Sequence, residues 1–173
     1  MNPLPPTAHE QQYLTFLLGQ EMFALGISAI KEIIEYSAPT PVPMMPGVLR
    51  GVINLRGAVV PVLDLQARFG RTPSPVERRS CIVIVEMAVG EGRQVMGVVV
   101  DAVSEVLDIA AGDIEPPPQF GAQLRTDFIR GMARVRDRFV IVLDLNSVLS
   151  MDELETLASQ AQASASHGSL QHV

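Results

Sequence analysis

Side chains that could perform acid–base or metal chemistry are scarce in the central part of this chain. The three histidines, His9, His167 and His172, all lie near the termini, in polar stretches predicted to be tails. The commonest general base and the commonest metal ligand are therefore missing from the part expected to fold. Glycine-rich phosphate loops and the G-x-S-x-G nucleophile pattern are missing from the sequence as well. These observations predict a protein that is not an enzyme and that holds neither a cofactor nor a metal.

Two charged residues, Glu32 and Arg56, stand out because each lies in a strongly apolar segment and each has a counterpart, Glu105 and Arg136, later in the chain. If the segment around Glu32 packs beside that of Arg56, the two side chains can meet. One interpretation is an ordinary surface ion pair, worth about 0–1 kcal/mol. The other is a pair that fixes the direction of a hairpin towards a partner. The residues alone leave both open and favour the first.

Three other candidates for chemistry have simpler structural explanations. Asp64 and Asp144 suggest a carboxylate pair, but both precede short predicted helices, where a carboxylate caps the helix N-terminus. Cys81 is the one cysteine and lies in the apolar run CIVIVEMAV, which favours a buried small side chain over a reactive thiol. A single cysteine forms no disulfide within the chain and suits a reducing compartment.

Composition narrows the classes of protein further. The 173 residues are 47% hydrophobic and 18% charged, which is typical of a globular chain. The net charge of −6 argues against a general nucleic-acid role, which needs a basic face. No apolar run approaches the length of about twenty residues that spans a bilayer, so no direct membrane insertion is expected. The N-terminus lacks the features of a signal peptide, and we expect a cytoplasmic location.

An internal repeat organises the chain. The segment 50–65, RGVINLRGAVVPVLDL, returns at 130–145 as RGMARVRDRFVIVLDL, with eight of sixteen positions identical. Both copies read as a β-hairpin that runs into a short helix. An earlier segment, 23–34, aligns with 96–107. Each half therefore predicts the order strand, strand, short helix, loop, hairpin, short helix.

This order predicts an all-β (mainly β) fold of two small five-stranded barrels related by a pseudo-two-fold axis, with short helices and a C-terminal helix. A short helix or turn is expected at Ala29–Glu35 and a short helix at Ala102–Leu107, with Ser28 and Asp101 as their caps. The expected bounds are a flexible tail at 1–11, a single domain at 12–155, barrels at about 12–72 and 80–150 with exchange of strands between them allowed, a C-terminal helix at 151–163 and a disordered tail at 164–173.

Glycine and asparagine in the hairpins have two readings. Asn54 and Gly57 are turn residues, with Gly57 supplying a positive φ. Gly51 and Gly131 recur within strands, where glycine marks either a bulge or a surface on which another backbone docks. The sequence leaves both readings open.

Apolar side chains at the predicted short helices also have two readings. Ile30, Val103 and Val106 are most simply core residues. If the two short helices lie near the seam between the barrels, however, they leave a hydrophobic groove that suits a partner helix.

In their order and spacing, these segments resemble the CheW family of chemotaxis coupling proteins over about residues 10–155. The resemblance is carried by LGQEMFALGISAIKEII, RGVINLRGAVVPVLDLQARFG, VMGVVVDAVSEVLDI, the following PPP-QF loop and FIRGMARVRDRFVIVLDLNSVL. It implies two packed barrels without catalytic activity. It also implies docking on the cytoplasmic tip of a chemoreceptor and on the regulatory domain of the histidine kinase CheA, within membrane-associated arrays.

The resemblance also implies roles for particular residues. Glu32 and Arg56 match the family's glutamate and arginine linked to coupling, which reverses the preference for an ordinary ion pair. The positions that match the family's partner-binding residues are Ile30, Gly51, Asn54 and Gly57 in the first half and Val103, Val106 and Gly131 in the second.

Three alternatives remain beside the chemotaxis adaptor. CheW-like domains also serve pilus, motility and surface-sensing pathways, which the sequence does not distinguish. A small-barrel nucleic-acid binder would need basic and aromatic surfaces, whereas this chain is acidic and 5% aromatic. An uncharacterised hydrolase is weakened by the lack of central histidines.

Overall fold

The fold is built almost entirely from antiparallel and mixed β-sheet. The computed structural model describes residues 10–45, 47–89, 91–117 and 126–150. Within them lie eleven strands: β1 (Glu10–Leu18), β2 (Glu21–Gly26), β3 (Ile30–Glu35), β4 (Leu49–Leu55), β5 (Ala58–Asp64), β6 (Cys81–Val89), β7 (Gly92–Val100), β8 (Ala102–Ala110), β9 (Ile114–Glu115), β10 (Ile129–Val135) and β11 (Arg138–Leu143). Two single-turn helices follow the hairpins: α1 (Leu65–Arg68) and α2 (Leu145–Val148). The predicted mainly β class is confirmed.

The strands form two sheets, and each sheet mixes the two halves of the chain. One sheet, called the first barrel here, has the order β3-β6-β7-β5-β4, and the other, the second barrel, has the order β8-β1-β2-β11-β10-β9. In each, the opening hairpin of one half is inserted between strands of the other half. The ranges 12–72 and 80–150 therefore do not correspond to the barrels, and the exchange of strands that the sequence allowed is what the pairing shows.

The pseudo-symmetry extends to the hydrogen-bond register. β5 runs parallel to β7 with Val62 opposite Gly97, and β11 runs parallel to β2 with Val142 opposite Ala24. Val62 and Val142 are repeat-related, as are Gly97 and Ala24, so the same register recurs in both barrels. The sheets are thus two copies of one five-stranded unit.

Three apolar cores explain why the sheets curl. Alternate side chains of β6 point to opposite faces, so Ile82 and Ile84 enter the first barrel while Val83 and Val85 enter a core shared by both barrels. All five strands of the first barrel contribute to its inner core, as expected for a sheet closed on itself. The largest core lies between the barrels and includes Phe16, Phe23, Phe69 and Phe128.

The short helices expected at Ala29–Glu35 and Ala102–Leu107 are strands, so that prediction is wrong. A 3₁₀ turn at Ile27–Ala29 leads directly into β3, and β8 occupies 102–110. Ser28 and Asp101 accordingly cap no helix. The Asp101 carboxylate instead accepts a hydrogen bond from the backbone N–H of Gly19 at 2.6 Å.

The caps expected of the two repeat-related aspartates are confirmed. Asp64 accepts a hydrogen bond from the Ala67 N–H at 3.0 Å, and Asp144 accepts one from the Ser147 N–H at 3.2 Å. At the N-terminal end, β1 already begins at Glu10, within the stretch predicted as a tail. The predicted C-terminal helix at 151–163, the tail beyond it and all three histidines lie outside the described residues. Among the described helices, none is long and apolar enough to cross a membrane.

Candidate interaction surface at the hairpin ends

Each barrel presents a two-residue hairpin turn at one end. In the first barrel the turn residues Arg56 and Gly57 have φ of 51° and 87°. In the second barrel Arg136 and Asp137 have φ of 52° and 63°. Positive φ at both central positions defines the type I′ turn that suits a twisted hairpin. The positive φ predicted at Gly57 is confirmed, and the arginines adopt the same conformation although it is unfavourable for a residue with a Cβ atom.

The side chain of Asn54 holds the first turn in shape. Its Oδ1 atom accepts a hydrogen bond from the N–H of Gly57 at 2.8 Å. Such a bond between an asparagine and a backbone N–H three residues on satisfies a donor that the tight turn leaves unpaired. The turn role expected for these two residues is therefore present.

Glu32 and Arg56 do meet, although Glu32 comes from a strand and not from a helix. Arg56 donates from Nη1 to Glu32 Oε1 at 3.2 Å and from Nη2 to Glu32 Oε2. β3 lies at one edge of the sheet and the Arg56 turn belongs to the hairpin at the other edge. The ion pair therefore bridges the seam at which the first barrel closes.

The second barrel repeats this bridge. Arg136 Nη1 lies 2.8 Å from Glu105 Oε1. β8, which carries Glu105, is one edge strand of this sheet, and the hairpin lies towards the other edge, where only β9 follows it. The arginine side chains of the two pairs are 68% and 74% exposed. At such exposure a pair is worth only about 0–1 kcal/mol. The bridges consequently matter more for the orientation of the turns than for overall stability.

Gly51 and Gly131 are buried beneath segments of the same chain. A Cβ atom on Gly51 would overlap the carbonyl group of Thr40, which pairs with Val52 by hydrogen bonds of 2.8 and 2.9 Å. A Cβ atom on Gly131 would overlap Ile114 and lie 2.7 Å from the carbonyl oxygen of Glu115. The bulge expected at these glycines is confirmed. The backbone that approaches each of them belongs to the chain itself: Thr40 approaches Gly51, and β9 approaches Gly131.

The three predicted apolar positions lie on the third strand of each half. Ile30 on β3 and Val103 on β8 are partly buried against the core between the barrels. Val106 is 49% exposed, and its repeat counterpart Ile33 is 42% exposed. The structure therefore divides this set: Ile30 and Val103 contribute to packing, whereas Val106 faces solvent, as does its repeat counterpart Ile33 in the other barrel.

Another repeat-related pair of exposed apolar residues was missed by the sequence reading. Val59 is 71% exposed and Phe139 is 59% exposed, each on the last strand of its hairpin. They lie directly opposite Asn54 and Arg134 on the neighbouring strands. Alternation was the available signal, because Val60 and Val62 must face inward and place Val59 outside.

A buried ion pair anchors the base of the first hairpin. Arg50 Nη2 lies 2.6 Å from Asp64 Oδ2, and Arg50 Nε donates to the same oxygen at 2.8 Å. Arg50 also donates to the Tyr36 hydroxyl at 2.9 Å and to the carbonyl oxygen of Ser74. Burial alone lowers the pKa of Arg50, but the hydrogen bonds to Asp64 and Tyr36 outweigh it and raise that pKa. The repeat counterpart Arg130 is exposed.

The described residues offer little to a metal or to covalent chemistry. Across 10–45, 47–89, 91–117 and 126–150, no group of three or more His, Cys, Asp and Glu residues is placed to hold a metal ion. Cys81 is partly buried beside the central core, and burial raises the pKa of its thiol. The thiol is therefore a poor nucleophile near neutral pH.

Comparisons with known proteins agree on one family. A family model described as CheW-like domain matches residues 12–153. The chain is similar to the chemotaxis protein CheW of Klebsiella aerogenes, with 31% identity over 153 residues, covering 88% of this chain and 90% of that protein. It is also similar to protein FrzA of Myxococcus xanthus, with 32% identity over 112 residues and 65% and 68% coverage. The crystal structure of the scaffolding protein TtCheW from Thermoanaerobacter tengcongensis gives a TM-score of 0.72 and 35% identity, over 85% of this chain and 89% of that one.

Proposed function

The chain belongs to the CheW-like family, and from this premise we propose that it is a non-enzymatic adaptor of chemotaxis-type signal transduction. The observation that carries the proposal is the match to the scaffolding protein TtCheW, which covers 85% of this chain and 89% of that structure. The paired hairpin ends, each with an oriented turn and an exposed apolar residue, support a role in protein binding.

As partners we infer the cytoplasmic tip of a chemoreceptor and the regulatory domain of the histidine kinase CheA. The groove between the barrels takes the helical receptor tip, with Ile30, Val103 and Val106 along it. The hairpin loops contact the kinase domain. Binding both partners at once lets the state of the receptor change kinase activity without chemistry in the adaptor. In this proposal the protein is cytoplasmic and is recruited to membrane-associated receptor arrays.

Within this site the predicted residues have different roles. Glu32 and Arg56 orient the first hairpin and contact the kinase domain, and Asn54 and Gly57 shape its turn. Gly51 and Gly131 act indirectly, since their lack of a side chain lets the covering loops lie close to the hairpins. Their contribution to binding is to the shape of the surface.

Charge reversal at the seam of the first barrel tests this site. We expect Arg56→Glu to lower receptor-dependent CheA autophosphorylation in a reconstituted mixture by about tenfold or more, because like charges at 32 and 56 turn the hairpin away and cost over 1 kcal/mol of coupling. The thermal unfolding midpoint should change little, since the pair is exposed. Arg93→Glu is the matched control, because Arg93 is 76% exposed and pairs with Glu86 at 2.7 Å.

The double variant Glu32→Arg with Arg56→Glu separates orientation from direct contact. It restores an attractive pair across the seam, so orientation alone would return kinase stimulation to the wild-type level. We expect stimulation to stay low, because the kinase domain would meet reversed charges. Unchanged stimulation by Arg56→Glu, or an equal loss with Arg93→Glu, would show that this hairpin is not the coupling site.

The similarity to FrzA, whose name does not refer to chemotaxis, favours one alternative pathway assignment. In that alternative the chain is a CheW-like scaffold of a pilus, motility or surface-sensing pathway. The same biochemistry then applies with a different receptor and kinase. A pull-down distinguishes the two pathways. The full chain is mixed with the receptor signalling fragment and the kinase of each pathway in turn, and only the cognate pair should be retained.

A further inference from the structure

The pseudo-two-fold axis supplies an internal reference for the two hairpin ends. Both ends have the same strand register, the same positive-φ turn and the same Glu–Arg bridge. Architecture therefore does not account for residues that differ between them. The outward cross-strand pair is Asn54–Val59 at the first end and Arg134–Phe139 at the second.

The second end carries an excess of positive charge. Residues 134–139 include three arginines and one aspartate, a net charge of +2, whereas residues 54–59 include one arginine, in a chain of net charge −6. Arg136 is paired with Glu105, but within the described part of the chain neither Arg134 nor Arg138 has a carboxylate partner. The Arg134 guanidinium lies 5.8 Å from the centre of the Phe139 ring. The ring and the guanidinium together form a cationic and aromatic surface.

A cavity of about 180 Å³ opens at the same hairpin end, on the face of the strands opposite to Arg134 and Phe139. Its lining includes the charged side chains of Glu105, Arg136 and Arg138, which are at least partly exposed, and the more buried side chains of Val135 and Val140. Cavities that enclose ordinary small ligands measure about 300–1,000 Å³. This smaller pocket, whose lining combines Leu107, Val135 and Val140 with two arginines, has room for one aliphatic side chain flanked by carboxylates.

We propose that the second hairpin end is a docking surface for an acidic protein segment that carries an aliphatic residue among its carboxylates. The aliphatic side chain enters the cavity, and the segment crosses the end of the hairpin. Its carboxylates accept hydrogen bonds from Arg138 at the cavity and from Arg134 on the other face, since each guanidinium can donate two to one carboxylate. The ring of Phe139, which is 59% exposed, packs on the methylene groups of the acidic side chains of the segment. The first end, which lacks these arginines, does not bind such a segment. The two ends of the adaptor thus select partners of different chemistry.

Titration of the ¹⁵N-labelled full chain with the blocked peptide Glu-Glu-Leu-Glu-Glu tests the proposal. We expect amide shifts to change at 134–140 and not at 54–60, with no response to Gln-Gln-Leu-Gln-Gln. Raising the salt from about 0.05 M to about 0.5 M should weaken the binding strongly, since exposed charges are screened. Shift changes of equal size at both ends, or none at either, overturn the proposal. So does a single-stranded oligothymidylate that displaces the peptide, because the surface would then favour phosphates.

Variants supplied by the repeat itself sharpen the test. Arg134→Asn with Phe139→Val gives the second end the residues of the first, and we expect the affinity for the peptide to fall about tenfold. The exposed connector variant Arg79→Glu is the control, and it should bind as the wild type does. The transplant Asn54→Arg, Ala58→Arg and Val59→Phe should create binding at the first end. The peptide experiment uses neither receptor nor kinase, so its outcome is independent of the proposed function.

Discussion

Replacing Arg50 by alanine is expected to lower the free energy of unfolding by about 3–5 kcal/mol, because the variant leaves a buried carboxylate without its counter-charge. Asp64 is only 1% exposed and lies 2.6 Å from the guanidinium. Arg50 also ties Tyr36 and the carbonyl of Ser74 to the base of the hairpin. Urea-induced unfolding followed by circular dichroism measures the change.

The repeat provides the matched control for this variant. Arg130 occupies the equivalent position in the second half but is exposed, and its aspartate counterpart Asp144 is partly exposed. Arg130→Ala should therefore change the free energy of unfolding by about 0.5 kcal/mol or less. If both variants lose the same stability, the buried pair is not what distinguishes the two hairpins.

Gly51→Ala is the second substitution with a large expected effect. Gly51 has φ of 139°, and an added Cβ would overlap the carbonyl group of Thr40. Overpacking costs about 1–3 kcal/mol and an unfavourable backbone conformation costs a similar amount, so we expect a loss of about 2–5 kcal/mol in the free energy of unfolding. Since the loop that covers Gly51 must move, the unfolding midpoint in urea should fall clearly.

Gly57→Ala separates backbone strain from overlap. Gly57 also has a positive φ, 87°, but no atom lies within 4 Å of the position of its Cβ. Only the conformational cost remains, about 1–2 kcal/mol. An equal loss of stability for the two variants would mean that the approach of Thr40 to Gly51 contributes nothing. Binding of the kinase domain, measured in parallel, shows whether the turn itself is sensitive to the added methyl group.

The hairpins and their caps were predictable because local sequence determines them. A two-residue turn with a glycine between alternating strands has one favoured geometry, and the carboxylate of Asp64 needs only the N–H group three residues later. The meeting of Glu32 with Arg56 was predictable to a lesser degree. That prediction depended on the repeat. A glutamate and an arginine at equivalent positions of both halves are best explained by a pairing that occurs in each half.

The strands β3 and β8 were predicted as helices because a bulge imitates helical spacing. In β3 the pairing with β6 shifts between Ile30 and Glu32, which changes the alternation of inward and outward residues. Ile30 and Ile34 are partly buried while Ile33 is exposed. The apolar positions i, i+3 and i+4 then resemble one face of a helix although they lie on two faces of a strand.

Local sequence could not predict which half of the chain supplies the strands that pair with each opening hairpin. Each opening hairpin could pair with strands of its own half or of the other half, and its residues would make equivalent contacts in either case. Both topologies bury the same alternating face. What decides between them is the length and path of the connections, such as the short link of Ile27–Ala29 between β2 and β3. The exposed residues Val59 and Phe139 were missed for a related reason, since the exposure of a side chain depends on which strands lie nearby.

Because strands are exchanged, the backbone passes between the two barrels at two places. β2 lies in the second barrel and continues into β3 of the first, while β7 lies in the first and continues into β8 of the second. A displacement of the hairpin that contains Arg138 can therefore reach the strand that carries Glu32. The path crosses one sheet contact, from β11 to β2, and then follows the backbone from β2 into β3. Because each barrel contains strands from both halves of the chain, we expect the two barrels to unfold together.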